Sequence, residues 1–273
     1  MSPDEILVFT TASIICVAAV FNHLFTSRHR MMTGRSISEG MVRVAFALSL
    51  LWLLYVLYYH ADPAVVGVYR LFYVVLGLAM VQTFGLGGSR TTGMRRRVDV
   101  LERDNPAAGL LIASFVLATG LIFGGSVWGE ADPYGEGEGG WWIPMGFFLA
   151  GWLGLFLASW LYRLRDTGGV VRRMRQTRDP RETLGFSLYL LSCGWILTES
   201  VSGDFYGWKQ GLAPLAAIVG MLIVHDLIGL VGTRDQGNRP VAMTWIEVAV
   251  YIAISIAFSI VDRVLLPRWG ILL

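Results

Sequence analysis

The stretch AAGLLIASFVLATGLIFGGSV, residues 107–127, decides the fold because it runs for 21 residues without a charged side chain. About 20 apolar residues in a helix cross the hydrocarbon core of a bilayer, which is about 30 Å thick. Charged residues form only 15% of the 273-residue chain, whereas a soluble domain carries about 25%. The sequence therefore predicts an all-α polytopic membrane protein with about eight transmembrane helices. The predicted spans are 6–26, 41–60, 64–87, 107–127, 142–162, 183–202, 211–232 and 241–265.

Arginine is concentrated in every second connection between these spans. The connections 27–43, 88–105, 163–182 and 233–240 hold 18 of the 22 basic residues, whereas the other connections are acidic. Cytoplasmic loops of membrane proteins carry an excess of Lys and Arg, so these four connections are predicted to be cytoplasmic. Both termini then lie on the external side of the membrane. The predicted location is the inner (plasma) membrane of the cell. The lipid bilayer is the expected surrounding, and no nucleic-acid partner is predicted.

The two halves of the chain resemble each other. FALSLLWLLYVL (46–57) parallels FSLYLLSCGWIL (186–197), and VVLGLAMVQTFGLGGSR (74–90) parallels AIVGMLIVHDLIGLVGTR (217–234). We predict a 4+4 tandem repeat, whose halves keep the same orientation because each contains an even number of spans. The halves would be related by a pseudo-two-fold axis along the membrane normal. The predicted units are a first four-helix repeat (1–127), an acidic Gly-rich external linker (128–141) and a second four-helix repeat (142–273).

Three titratable residues lie near the predicted cytoplasmic ends of the last two spans. His225 and Asp226 are adjacent in one span, and Glu247 lies in the next. An ionisable group inside the hydrocarbon costs about 2.5–3.5 kcal/mol on insertion scales, so each is a candidate functional residue. Adjacent helical residues point about 100° apart, so only one of His225 and Asp226 can face Glu247. We predict a cluster for a proton, an ion or a ligand. The alternative is a hydrogen-bonded network that only holds the helices together.

Two opposite charges, Arg70 and Glu199, are predicted at similar depth near the external face. An isolated charge at either position would be costly, so we predict an outer ion pair or gate formed by the two residues. A binding point for an anionic group is the alternative. Aromatic residues near the predicted span ends, including Tyr162 on the cytoplasmic side, are expected to anchor the protein at the membrane interface.

The sequence assigns no cofactor and no metal. A retinal protein needs a lysine at mid-membrane, and the only lysine, Lys209, lies at the external end of its span. Haem ligation by His23 and His225 and a pigment or quinone pocket are lesser alternatives. The four carboxylates of the linker 128–141 are oxygen ligands of the kind that Ca²⁺ takes. Their spacing matches no known calcium loop, and five glycines leave the segment flexible.

The basic segment RRMRQTRDPRETLG (172–185), followed by a helix pair, resembles the multi-helix membrane sensor region at the N-terminus of some bacterial histidine kinases. The resemblance covers about residues 150–235, with a weaker similarity at 27–90. It implies a signalling role, and we expect that role to need a separate partner because the sequence ends at Leu273 without a kinase domain.

These features favour a non-enzymatic integral membrane module. It would act as a subunit of a membrane protein complex or as a sensor-like binding module, with other membrane proteins or a second copy as partner. One alternative is a small proton-coupled carrier or transporter that uses His225, Asp226 and Glu247. Another is an intramembrane lipid- or isoprenoid-modifying enzyme. An enzyme is less favoured because the sequence contains no P-loop, G-x-S-x-G, H-E-x-x-H or C-x-x-C motif.

Overall fold

The computed structural model describes residues 1–30, 36–129, 140–165, 169–202, 208–232 and 241–261. Within these ranges every regular element is helical, as the sequence predicts. The helices are α1 (Pro3–Arg30), α2 (Ile37–Tyr59), α3 (Val68–Met80), α4 (Leu86–Gly88), α5 (Pro106–Val127), α6 (Trp142–Arg165), α7 (Val170–Thr177), α8 (Leu184–Val201), α9 (Trp208–Gly232) and α10 (Val241–Ile260).

Six helical segments of the described chain are long and apolar enough to cross a membrane. The protein is therefore a multi-pass helical membrane protein, which confirms the predicted fold class. The described apolar parts of α9 and α10, Leu212–Ile228 and Thr244–Ile260, are shorter. The total of eight spans stays a prediction. The six segments are Pro3–Phe21, Ile37–Tyr59, Val68–Thr92, Pro106–Val127, Trp142–Arg165 and Pro180–Val201.

The central helix of the bundle is α5, which packs between α2 and α8. Its first turn is capped by Asn105, whose Oδ1 accepts the backbone N–H groups of Ala107 and Ala108 at 3.0 and 3.3 Å. An asparagine cap satisfies N–H groups that have no partner inside the helix. Small residues let the neighbouring helix approach closely, because a Cβ at Gly194 of α8 would lie 2.6 Å from Cβ of Ala118. This is the packing that membrane helices use in place of a hydrophobic driving force.

The third span is interrupted between α3 and α4. A π-helical turn occupies Val81–Gly85, and single π-helical turns are frequent at functional sites. The indole Nε1 of Trp152 on α6 donates to the carbonyl oxygen of Phe84 within this turn at 3.2 Å. Gln82 and Thr83, which align with His225 and Asp226 in the proposed repeat, lie in the same turn. The aligned positions therefore differ in backbone conformation as well as in charge.

The described parts of the Arg-rich connections 88–105 and 163–182 meet at one end of the bundle, which we call the Arg-rich end. The buried carboxylate of Asp99 accepts the backbone N–H of Arg95 at 2.8 Å and lies 3.5 Å from the guanidinium of Arg175 on α7. Arg175 also donates to the carbonyl oxygen of Gly93 at 2.6 Å. These contacts join the connection before α5 to the connection before α8.

Candidate functional site: a buried histidine–glutamate pair

The site is centred on His225 of α9 and Glu247 of α10, one of the pairings that the sequence allows. Nδ1 of His225 lies 2.6 Å from Oε1 of Glu247. The two side chains are only 5% and 1% exposed. Burying one ionisable group without a partner is costly, whereas an imidazole and a carboxyl group in contact can share a proton. The pairing therefore accounts for the presence of both residues inside the bundle.

Aromatic side chains enclose this pair. The hydroxyl of Tyr251 donates to Oε1 of Glu247 at 2.6 Å, since Tyr251 follows Glu247 by one helical turn on α10. The ring of Tyr162 on α6 lies with its centroid 4.2 Å from that of the His225 imidazole. Phe186 on α8 stacks on the other side of Tyr162 at 4.2 Å. Helices α6, α8, α9 and α10 thus meet at the pair.

Asp226 lies apart from the pair and faces α6. Its Oδ2 is 2.8 Å from Nη1 of Arg165, and both side chains are 42% exposed. The separation follows from the helical geometry of α9, in which neighbouring side chains point about 100° apart. The structure brings His225 and Glu247 together and places Asp226 in a separate, half-exposed ion pair.

A cavity of about 270 Å³ lies beside Glu247 at the Arg-rich end. Part of its lining is buried and includes Glu247, Tyr162 and Phe186, whereas Arg181 and Glu182 in the same lining are exposed. The cavity therefore links the surroundings of the Arg-rich end to the carboxyl group of Glu247. The remaining lining residues are Arg173, Leu184, Gly185, Thr244 and Trp245.

The contact allows a proton to be shared between the two buried groups. With one shared proton, the pair is either an imidazolium with a carboxylate or a neutral imidazole with a carboxylic acid, and its net charge is zero. Adding or removing one proton leaves a single uncompensated charge among buried aromatic rings. A buried, uncompensated charge costs several kcal/mol.

Arg70 and Glu199 lie toward the opposite end of the bundle. Arg70 donates from Nε to the carbonyl oxygen of Val65 at 3.1 Å, and its guanidinium lies 4.6 Å from the centroid of the Tyr58 ring. Glu199 is buried and accepts a hydrogen bond from the hydroxyl of Ser259 at 3.4 Å. In the part of the chain that the structure describes, these contacts do not bring Arg70 and Glu199 together. The outer ion pair or gate stays a prediction.

Metal and cofactor interpretations depend partly on residues outside the described ones. Among the described residues, no group of three or more His, Cys, Asp or Glu side chains could hold a metal ion. The side chains of His23 and Lys209 and the linker segment 130–139 lie outside the described part of the chain. The interpretations of these residues therefore stay predictions.

Comparison with known proteins adds a partial match. Residues 65–169 match the family model described as Domain of Unknown Function (DUF350). This segment is less than half of the chain, and it includes α3, α5 and α6. No curated protein and no solved structure matches the chain significantly. The matched segment contains Tyr162 but neither His225 nor Glu247. The match therefore covers part of the membrane helices and does not include the buried pair.

Sequence reasoning missed the aromatic residues of the site. Tyr162 was assigned to the membrane interface, but it is only 2% exposed because it packs between His225 and Phe186. The spacing of four residues between Glu247 and Tyr251 was a usable signal, because residues that far apart lie on one face of a helix. The position of Tyr162 gave no such signal, since it reaches the pair from a different helix.

Proposed function

We propose that this membrane protein is a non-enzymatic, sensor-like binding module whose conformation responds to the proton held by His225 and Glu247. The observation that carries the proposal is the 2.6 Å contact between these two buried groups, which lie beside a cavity at the Arg-rich end. A site that only stabilised helix packing would gain little from two ionisable groups, because apolar residues of similar volume are often as stabilising as a buried ion pair.

The response would be located in α9 and α10. His225 belongs to α9, whereas Glu247 and its donor Tyr251 belong to α10. When the shared proton is lost or a second proton is gained, the attraction between the two helices weakens at the buried level of the bundle. Thr244, which lines the cavity one turn before Glu247, then changes its surroundings. A partner protein or a second copy in contact with these helices would detect the change.

The orientation and the internal repeat belong to the same proposal. The Arg-rich end would face the cytoplasm of the inner membrane, and both termini would lie outside. Two pairs of packed helices, α2 with α5 and α8 with α10, occupy corresponding places in the two halves of the chain, which supports the 4+4 repeat. Helix α1, which packs on α3 and leaves most of its apolar surface uncovered, is available for lipid or for another subunit of a membrane complex.

The test measures whether α10 moves with pH and whether the pair is responsible. A fluorophore sensitive to polarity is attached to Thr244→Cys in the purified full chain, and its emission is recorded from pH 5 to pH 8. We expect a pH-dependent shift that is abolished by His225→Gln and by Glu247→Gln, both of which keep volume and hydrogen bonding. Asp226→Asn is the matched control, since it removes a neighbouring charge outside the buried pair.

Two outcomes would contradict the proposal. One is an emission that does not change with pH in the protein carrying both native residues. The other is a pH response that persists unchanged in folded His225→Gln and Glu247→Gln variants. Size-exclusion chromatography of each variant establishes that it is folded before its titration is interpreted.

A proton-coupled carrier is the second candidate, and the cavity beside Glu247 favours it because a substrate could bind next to the proton site. The two functions differ in whether protons cross the membrane. In proteoliposomes with a pH dye in the lumen, a carrier acidifies the lumen when a transported anion is supplied outside, and Glu247→Gln abolishes that signal. A binding module produces no acidification with any member of a panel of small inorganic and organic anions.

A further inference from the structure

We propose that the cavity beside Glu247 binds the phosphate group of an anionic membrane lipid. This site does not depend on the proposed function, because it is formed by two arginines that take no part in the proton-sharing pair. Arg173 and Arg181 line the cavity from α7 and from the 3-10 turn Pro180–Thr183. Basic pockets between membrane helices at the cytoplasmic side are typical binding sites for phosphate head groups.

The guanidinium groups of Arg173 and Arg181 form no close ion pair with the described residues. Nε of Arg173 is buried and has no hydrogen-bond acceptor, and Oε2 of Glu182 lies 4.0 Å from it, beyond hydrogen-bond distance. A buried donor without a partner is rare in folded proteins and calls for an explanation. Within the described residues, the guanidinium of Arg181 has no ion-pair partner. Two donor groups therefore line one cavity, and an anion with several oxygen atoms would satisfy both.

The charge of the two arginines is only partly offset by the carboxyl groups of the described lining. Two carboxyl groups, those of Glu182 and Glu247, belong to its lining. Glu247 is already engaged by His225 and Tyr251. Glu182 is 43% exposed and only weakly associated with Arg173, so it offsets one guanidinium at most. Among the described lining residues, the cavity therefore keeps a positive charge that favours an anion.

The apolar part of the lining favours a lipid as the source of the phosphate. Leu184, Phe186 and Trp245 supply apolar walls beside the arginines. The indole of Trp245 is exposed on the surface of α10, and exposed tryptophan on a membrane helix is typical of the depth of the lipid head groups. A lipid presents its phosphate at that depth on a glycerol that also carries the acyl chains, so it matches both parts of the lining. Free phosphate would use only the arginines.

The experiment compares phosphatidylglycerol, phosphatidylcholine and inorganic phosphate as ligands of the full chain purified and lipid-depleted in a non-ionic detergent. Apparent affinities come from native mass spectrometry, with thermal stability as a second readout. The test variant is Arg173→Gln with Arg181→Gln. The control variant is Arg172→Gln with Arg178→Gln, which removes the same charge from two exposed arginines outside the cavity lining.

We expect phosphatidylglycerol to bind more tightly than phosphatidylcholine and inorganic phosphate to have no effect at millimolar concentration. Each lost guanidinium should weaken phosphatidylglycerol binding roughly fivefold, hence about 25-fold for the test variant, on the scale of basic residues at an anionic membrane surface. The control variant should change it less than about threefold. If the test variant does not fold, Arg181→Gln alone serves, since the side chain of Arg181 forms no ion pair with another described residue.

Three results overturn the proposal. Equal losses in the test and control variants would mean that the lipid is held by the general charge of the segment. Equal binding of the two lipids would mean that the net negative charge of the lipid is not recognised, since phosphatidylcholine carries a phosphate balanced by a choline cation. Stabilisation by inorganic phosphate as large as that by phosphatidylglycerol would identify a soluble anion as the ligand. The result is separable from the proposed function, because the test variant keeps His225 and Glu247 and should keep the pH response.

Discussion

The coupling energy of the buried His225–Glu247 pair can be compared with that of the more exposed Arg165–Asp226 pair. Asp226 directly follows His225 in the sequence. His225→Ala, Glu247→Ala and the double change form one double-mutant cycle, and Arg165→Ala with Asp226→Ala forms a second. The two native contacts have similar lengths, 2.6 and 2.8 Å, but the side chains are 5% and 1% exposed in the first pair and 42% in both members of the second. The contrast therefore isolates the effect of burial on an ion pair.

The expected magnitudes differ clearly. Hydrogen bonds between membrane helices average about 0.6 kcal/mol and reach about 1.7 kcal/mol, whereas removing one partner of a buried ion pair in a soluble core costs about 3–5 kcal/mol. A contact between two ionisable groups lies between these cases, so we expect a coupling energy of roughly 1.5–3 kcal/mol for His225 with Glu247. The Arg165–Asp226 pair should give about 0.2–1 kcal/mol.

Equilibrium unfolding in mixed micelles of a mild and a denaturing detergent, monitored by tryptophan fluorescence, gives the free energies of unfolding. The bond from Tyr251 to Glu247 is lost in both the single Glu247→Ala variant and the double variant, so it cancels from the coupling energy. A coupling for the buried pair below about 0.5 kcal/mol, or equal coupling in the two cycles, would refute the reasoning that burial makes this contact strong.

Three further predictions follow from the packing and the topology. A Gly194→Ala change should lower the free energy of unfolding by about 1–3 kcal/mol, because its new methyl group meets Ala118, whereas Gly220→Ala has open space and should be neutral or slightly stabilising. Arg70 contacts Val65 and Tyr58. The losses in the free energy of unfolding caused by Arg70→Ala and by Glu199→Ala should therefore add. A coupling energy above about 1 kcal/mol would instead establish the predicted outer ion pair. A cysteine at Arg172 should react with an impermeant maleimide in inverted vesicles but not in intact cells, and the reverse would overturn the orientation.

The helices could be predicted from the sequence because each apolar run is long and is separated from the next by charged residues. The run 107–127 is observed as Pro106–Val127, and the cap residue Asn105 immediately precedes it. The helix α7 was missed because five of its eight residues are polar or charged, and no apolar run indicates a span. Its helical form depends instead on contacts such as that of Arg175 with Asp99, which the sequence does not reveal.

The candidate site could be predicted only in part. The cost of placing an ionisable group in hydrocarbon identified His225, Asp226 and Glu247 without any structural knowledge. Which neighbour faces Glu247 depends on the rotation of α9 about its axis, and the sequence left that open. The cavity could not be predicted either, because it arises where four chain segments leave space between them. Periodicity within one helix carries no information about such gaps.

Asn105 performs two tasks with one amide group. Its oxygen accepts the N–H groups that begin α5, while its Nδ2 donates to the carbonyl oxygen of Met174 on α7 at 3.0 Å. The helix that follows is the most enclosed of the candidate spans, and α7 also carries Arg173 beside the cavity. A displacement of α7 by a ligand or a partner would therefore pull on the first turn of α5. The amide group of Asn105 thus joins the innermost helix of the described bundle to the helix that carries Arg173 beside the cavity.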